Sequence, residues 1–461
     1  MAPMRVLLVS CYELGHQPLH VASPAAFLRA AGHEVRACDL SVERLDETSV
    51  DWAEMVGVAV PMHTAMRLAS QVVERVRRRR GRGVVISAYG LYAPLCADAL
   101  PGGMLDHAVG GEYEEELVRI AAGTPSGRAI VLDRLRFPPA ARDLLPPLER
   151  YARLLVDGEE RLAATVDATR GCVHRCRHCP VPAVYDGRIR VVGRDALLAD
   201  VAQLHRMGAR HLSYGDPDFL NAVPHALATA RAVHAAFGDL TFDVTAKVEH
   251  VLENPGIWAE LASLGLLFVV SAVESLSPTV LDILGKGHAP DDARRAIALL
   301  RAHGIEMRPS LLPFTPWSTL ADYLEILDLV RDEDLVENVD PVQLSIRLLL
   351  PAGSLLLDHP EMGPHLTGFD PASFSHRWRH PDPAMDRLQA DVAALVAAGA
   401  DAEIAPAETH ARIRLLAAAA AAEAGIRWDA AAPSVVLSGR PRLSEPWFCC
   451  AEPTERQLGA V

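Results

Sequence analysis

The sequence predicts an α/β protein: a doubly wound, Rossmann-like sheet, a second β/α series curling into a partial barrel, and a mixed, mostly helical C-terminal region. Three observations predict it. Short Val- and Leu-rich runs alternate with helix-type stretches along residues 1–124. A second such series starts at Ala163, after a Pro-, Arg- and Leu-rich stretch at 125–160. Half of the 461 residues are hydrophobic, enough to bury a large core, and at about 150 residues per domain the length allows roughly three units.

In the first series, strands are expected at Met4–Ser10, Glu34–Asp39, Met55–Val60, Gly83–Ser87 and His107–Val109. Helices are expected at Pro24–Ala31, closed by Gly32, and from Ala65 to Arg80. Gly110-Gly111 lead into an acidic helix start at Glu112–Glu116. Alternation at this spacing indicates a parallel sheet with helices on both faces. Residues 125–160, with Pro138-Pro139 and Pro146-Pro147, read as a linker.

In the second series, 161–358, strands are expected at Thr165–Asp167, His211–Tyr214, Thr241–Ala246, Leu267–Ala272, Glu306–Leu312 and Val342–Leu348, with a helix at Ala196–Met207. Six β/α repeats make a TIM-like partial (β/α)6 barrel, whose functional groups gather at the C-terminal strand ends. A cysteine cluster, Asp216, Lys247, Glu274 and Arg347 all fall there. Residues 359–461 hold helix candidates at Pro383–Ala398 and Glu408–Ala424, then a tail carrying Cys449-Cys450.

Charge narrows the function classes. With 45 Lys and Arg against 59 Asp and Glu, the net charge is −14, which gives no general attraction for nucleic acid or anionic lipid. Arg77 to Arg82 reads as the solvated end of a helix. No apolar run reaches the ~18 residues of a membrane span, and no signal peptide is visible, so a cytoplasmic location is expected. The eight cysteines cluster rather than spread: three at 172–179, two at 449–450, and Cys11, Cys38 and Cys96 alone. That pattern favours metal or redox chemistry over a disulfide framework. Cys38 and Cys96 read as buried small hydrophobes.

The central motif is Arg170-Gly171-Cys172-Val173-His174-Arg175-Cys176-Arg177-His178-Cys179-Pro180. Thiolates are soft ligands that suit iron–sulfur clusters or zinc. Three ligands for a four-iron cluster leave one iron open to a substrate. Zinc is the alternative, with His174 or His178 as fourth ligand, but their adjacency makes a closed tetrahedron awkward.

C-x₃-C-x₂-C after a strand, with His178 before the third cysteine, resembles the signature of the radical S-adenosylmethionine (SAM) superfamily. Tyr214-Gly-Asp-Pro-Asp-Phe-Leu-Asn221 and the run from Val270 to Gly287 are similar to the second- and fourth-strand motifs of its cobalamin-binding branch. The resemblance implies that Cys172, Cys176 and Cys179 hold a [4Fe–4S] cluster that cleaves SAM reductively. It places the residues around Gly215-Asp216 near the cofactor's amino end and Glu274 near its ribose hydroxyls, with His178, Tyr214 and Ser275 as further cofactor-binding candidates. Lys247 and Arg347 become partners for its carboxylate. Residues 1–124 resemble the cobalamin-binding domain of that branch, in Gly32-His33-Glu34-Val35, Val56-Gly57-Val58-Ala59-Val60 and Val109-Gly-Gly-Glu112. Two departures stand out: there is no D-x-H-x-x-G, and the usual Gly-Gly after the fourth strand is Ser87-Ala-Tyr-Gly-Leu-Tyr92, where Tyr89 and Tyr92 would crowd the nucleotide tail. Cobalamin is therefore a conditional third cofactor.

Cys449-Cys450-Ala451-Glu452-Pro453 resembles the tail of the CUAEP/CCAEP-tail radical SAM (seleno)proteins. A position exchangeable with selenium implies redox or nucleophilic work, and a vicinal thiol pair suits a thiophilic atom such as trivalent arsenic. The expected function is transfer of an alkyl group or radical from SAM to a small-molecule acceptor, with an external flavodoxin- or ferredoxin-type reductant as partner. A cobalamin-dependent radical SAM methyltransferase and a non-catalytic iron–sulfur or zinc redox sensor are the two alternatives.

Overall fold

The computed structural model describes residues 3–431 and 439–445. The tail cysteines Cys449 and Cys450 lie outside them. The first sheet contains β1 (Arg5–Ser10), β2 (Glu34–Asp39), β3 (Met55–Ala59), β4 (Val85–Tyr89), β5 (His107–Gly111) and β6 (Ile130–Val131), all parallel, in the order β2-β1-β3-β4-β5-β6. The order reverses between β1 and β3, which is where such sheets form a ligand crevice.

Both faces are covered, so the strands read as continuous apolar runs rather than alternating ones. The helix His63–Arg80 packs on Val56, Val58 and Ile86. Helices Leu19–Ala30 and Glu114–Ala121 cover Val6, Leu8 and Met55 on the other face. The first of these starts already at Leu19, with Pro24 inside it. The Arg-rich helix end is held by surface pairs, Arg75 to Glu47 and Arg77 to Asp106, as a solvated helix end should be.

Residues 125–160 run from one sheet to the other and add a strand to each, β6 to the first and β7 (Arg153–Val156) to the second. The second sheet continues with β8 (Glu159–Val166). A short antiparallel ribbon, β9 (Thr169–Gly171) with β10 (Ile189–Val191), brackets the cysteine motif. Then come β11 (His211–Tyr214), β12 (Thr241–Thr245), β13 (Leu266–Glu274) and β14 (Glu306–Leu311), parallel to β8, forming a curled half-barrel. β7 pairs antiparallel with β8. An antiparallel hairpin, β15 (Leu366–Asp370) and β16 (Ser375–Trp378), stands apart, and β17 (Arg442–Leu443) pairs with β7 at the sheet's edge.

The strand expected at Val342–Leu348 is instead a 3₁₀ turn, Pro341–Ser345, plus one bridge between Phe314 and Arg347. Pro341 opens that turn, and a proline has no N–H for a ladder. Arg347 is drawn away by Asp386 (2.6 Å) and the carbonyl of Trp378 (2.8 Å), both in the C-terminal region.

The two sheets are locked together by buried polar bonds. The Arg142 guanidinium, fully buried, donates to Asp200 (2.9 Å), to the carbonyl of Thr165 (2.7 Å) and to the carbonyl of Gln17 (3.2 Å). Among the described residues no helix is long and apolar enough to cross a membrane.

Candidate active site

Gly171, the last residue of β9, starts the loop with φ 77°, and a Cβ there would run into the Tyr185 ring and the Arg188 carbonyl. Only glycine fits such a position. Cys172, Cys176 and Cys179 follow as free thiols, the first two buried and the third half-buried. Asn221 braces the entry: its Oδ1 accepts from the Val173 N–H (3.1 Å) and the Cys172 thiol (3.5 Å), while its Nδ2 donates to the Gly171 carbonyl (3.3 Å).

Arg177 clasps the exit. Its backbone N–H donates to the Leu284 carbonyl (2.8 Å). Its guanidinium donates to the carbonyls of Asp282 and Ile283, both at 2.8 Å. These carbonyls end the helix Pro278–Leu284, where the dipole is negative and a cation is favoured. The first sheet contributes Leu91 and Leu95, which with Leu132 pack against Cys172, Val181, Val184 and Tyr185. Burial pushes the Cys172 thiol up to about 11 and the Cys179 thiol up to about 12. Ligation must therefore displace protons.

Glu274 closes β13 just past a register shift at Ala272/Glu274, with a left-handed φ of 63°. That conformation costs a non-glycine residue roughly 1–2 kcal/mol, and such strain gathers at functional sites. Its effect is to aim the carboxylate at the cysteine loop. Oε1 meets His178 Nε2 at 3.3 Å and Lys286 Nζ at 3.2 Å. Burial alone would raise this carboxyl, but Lys286 and His178 hold it down at about 2.

Across the loop, His174, Asp218 and His250 bring ligand-type atoms within 4.8 Å of one another. The same residues are joined through hydrogen-bonding contacts to Lys247. Lys247 Nζ can only donate, so at 3.2 Å it makes His174 Nδ1 the acceptor. His174 Nε2 then donates to His250 Nε2 at 3.1 Å, and His250 Nδ1 lies 2.9 Å from the Asp218 carboxylate. This tautomer assignment follows from the network. Burial, then Lys247, lowers His174 to about 4, so it is neutral at pH 7. Lys247 also pairs with Glu249 at 2.8 Å.

The remaining expected residues are placed as follows. Tyr214 turns into the core against Phe219 and Phe242. Asp216 is buried and accepts from the Ala168 and Thr169 N–H groups, at 2.8 and 2.6 Å, which pins the start of β9. At Gly215 a Cβ would meet Asp167 Oδ1 at 2.6 Å. Ser275 is buried and accepts from the Ser277 N–H (3.1 Å). Arg347 is tied to Asp386 and lies 3.5 Å from the Trp378 ring centroid, both in the C-terminal region. Sequence reasoning missed Asn221, Lys286, His250 and the clasp by Arg177. For Lys286 the signal was present, a lysine between two glycines.

Residues 166–330 match the model of the radical SAM superfamily. This stretch is a radical SAM domain. Its cofactors are a [4Fe–4S] cluster and SAM. The donor set fits the cluster: three soft thiols on one loop, two of them buried, with both loop histidines bonded elsewhere, to Glu274 and to Lys247 with His250. That last point removes the fourth ligand a zinc site would have drawn from the motif.

Beyond the radical SAM domain, the fold is similar to that of the cobalamin-dependent radical SAM enzyme OxsB with aqua-cobalamin and SAM bound: TM-score 0.67, 14% identity, 86% of this chain and 66% of that one. It is similar to the radical SAM methyltransferase TsrM of Kitasatospora setae, with tryptophan and a SAM analogue bound: TM-score 0.63, 16% identity, 85% and 88%. At such identities the likeness is one of fold. An uncharacterized methyltransferase, sll1242, of Synechocystis is 23% identical over 177 residues, 38% of this chain and 32% of that one. The match thus spans about a third of this curated relative. The radical SAM domain makes the protein an enzyme.

Proposed function

We propose that the protein is a radical SAM group-transfer enzyme that moves a methyl or other alkyl unit of SAM to a small-molecule acceptor. The observation that carries this reading is the three-cysteine loop, clasped by Arg177 to the helix Pro278–Leu284 and joined to Glu274 through His178. When bound, the cluster supplies the electron that cleaves a carbon–sulfur bond of the sulfonium, drawn from an external flavodoxin- or ferredoxin-type donor. The chain's residues bind and orient. Lys247 offers a cation to the SAM carboxylate, and Glu274 offers acceptor oxygens to its ribose hydroxyls. The flanking leucines keep water from the thiols. The test is anaerobic reconstitution followed by mass spectrometry of SAM products; intact SAM after reduction of the cluster would overturn the reading.

Cobalamin as the carrier of the methyl group is a second reading, supported by the likeness in fold to cobalamin-bound enzymes. The strand edge fits part of such a cofactor. Ser10 Oγ, at the end of β1 and level with Asp39 at the end of β2, is buried without a hydrogen-bond partner and suits the amide rim of a corrinoid. The Tyr89 ring, tilted against that of Tyr113 at 4.9 Å, lies against Gly57, where a Cβ would meet it at 3.1 Å. It fills the space between sheet and helices there. Corrinoid retained by the reconstituted enzyme after desalting is the expected result on this reading; its absence returns the mechanism to direct transfer.

We further assign the chain to the CUAEP/CCAEP-tail group and the tail thiols to the acceptor. Supporting this, Glu445 packs on Gly15 and accepts from the Tyr12 hydroxyl at 3.1 Å, beside the loop after β1. The double substitution Cys449→Ala with Cys450→Ala should leave iron content unchanged and weaken arsenite binding at least ~10-fold, the loss expected on removing soft ligands from a thiophilic atom. Unchanged arsenite affinity in a titration would refute the role of the pair.

A further inference from the structure

We propose that Lys286 is a positioning residue of an electrostatic kind: a buried, fixed cation that sets the reduction potential of the cluster held by Cys172, Cys176 and Cys179, with Glu274 as its counter-charge. The inference rests on the cluster reading above and adds to it a residue that the motif does not include.

The local fold delivers this charge. The helix Pro278–Leu284 ends at Gly285, left-handed with φ 68°, and Gly287 is left-handed at 79°. A Cβ on Gly287 would meet the Glu249 carboxylate at 2.7 Å. Lys286 is thus the one side chain in a turn built from two glycines, and it points inward, 2% exposed. The same turn is fastened to the cysteine loop by Arg177, through the carbonyls of Asp282, Ile283 and Leu284. The ammonium donates to Glu274 Oε1 at 3.2 Å, and the same oxygen lies 3.3 Å from Nε2 of His178, the residue between Arg177 and Cys179. Burying a lysine is costly, and a single ion pair seldom repays it. A second negative partner at the cysteine loop accounts for its presence.

The physics fixes a sign. Reduction adds one electron, from an external one-electron donor, to a cluster with three thiolates, and so adds one negative charge. A nearby buried cation stabilises the more negative form and raises the potential; a buried anion lowers it. Lys286→Met keeps the stem, removes the cation and leaves Glu274 with His178 as its remaining partner. Both changes move the potential down. Glu274→Gln keeps the cation, removes the anion and moves the potential up.

The experiment is a mediated redox titration of the reconstituted full chain, without SAM, reading the paramagnetic signal of the reduced cluster. The expected result is a midpoint below wild type for Lys286→Met, above it for Glu274→Gln, and near it for Lys286→Arg, at unchanged iron and sulfide content. Equal midpoints, or shifts of the same sign, overturn the role of Lys286 while the cluster reading stands. A wild-type protein with no redox-active four-iron centre overturns both. If Lys286→Met does not fold, Glu274→Gln decides: an unshifted or lowered midpoint refutes the proposal.

Discussion

Cys176→Ala abolishes both cluster assembly and SAM cleavage while leaving the fold intact. Cys176 is the middle ligand of the loop, with Cys172 braced by Asn221 and Cys179 following a turn in which its N–H donates to the Cys176 carbonyl at 3.2 Å. Two thiolates cannot retain a four-iron cluster that three hold with one iron already open. Neither loop histidine can step in, since His174 is held by Lys247 and His250, and His178 by Glu274. The side chain itself is small, and its removal costs the core no more than a modest cavity. Iron content, visible absorbance and the yield of SAM fragments should all fall to background, with an unchanged circular dichroism spectrum. A variant that retains a four-iron signal would show that the thiols of this loop are not the ligands.

The fold class was legible because parallel strands buried on both faces appear as short apolar runs. Glu34–Asp39 and His211–Tyr214 match the expected bounds residue for residue. The same signal misled at Val342–Leu348, an apolar run whose pairing is decided by Pro341 and by Arg347's bonds to the C-terminal region. In the site, the cysteines were legible through spacing alone. The groups around them were not. His174 and His250 are 76 residues apart, and their contact depends on how β12 and the loop are brought together. The left-handed turn of Glu274 leaves no mark in composition, since glutamate rarely adopts it. Tyr214 and Asp216 lie in the expected motif, and their contacts with Phe219 and with the Ala168 N–H depend on chain folding that the motif does not spell out.

Arg170→Met has the largest expected effect on stability. Arg170 sits at the junction of the two sheets, two residues before Cys172. Its guanidinium pairs with Glu114 at 2.7 Å, Glu112 at 3.7 Å and Asp167 at 3.2 Å, and lies 4.8 Å from the Phe137 ring centroid. Glu112 and Glu114 are fully buried at the end of β5 and the helix that follows, and Tyr185 donates to Glu112 at 2.9 Å. Removing one partner of a buried pair leaves an uncompensated charge and costs about 3–5 kcal/mol. The sign of the pH dependence follows from Glu112. Burial pushes its carboxyl up to about 7 while Arg170 pulls it down, so removing Arg170 raises it further. A carboxyl whose folded value exceeds its unfolded value binds protons preferentially in the native state, so stability falls as pH rises through the folded value. The deficit of the variant should therefore be larger at pH 8 than at pH 5.5, measured by chemical denaturation, and Glu112→Gln added to Arg170→Met should recover part of it. A deficit independent of pH would mean that Arg170 contributes packing rather than charge. Because the same guanidinium anchors the strand that starts the cysteine loop, iron occupancy should fall with it. This would make the first sheet, through Glu112 and Glu114, a structural part of the cluster site rather than an appended module.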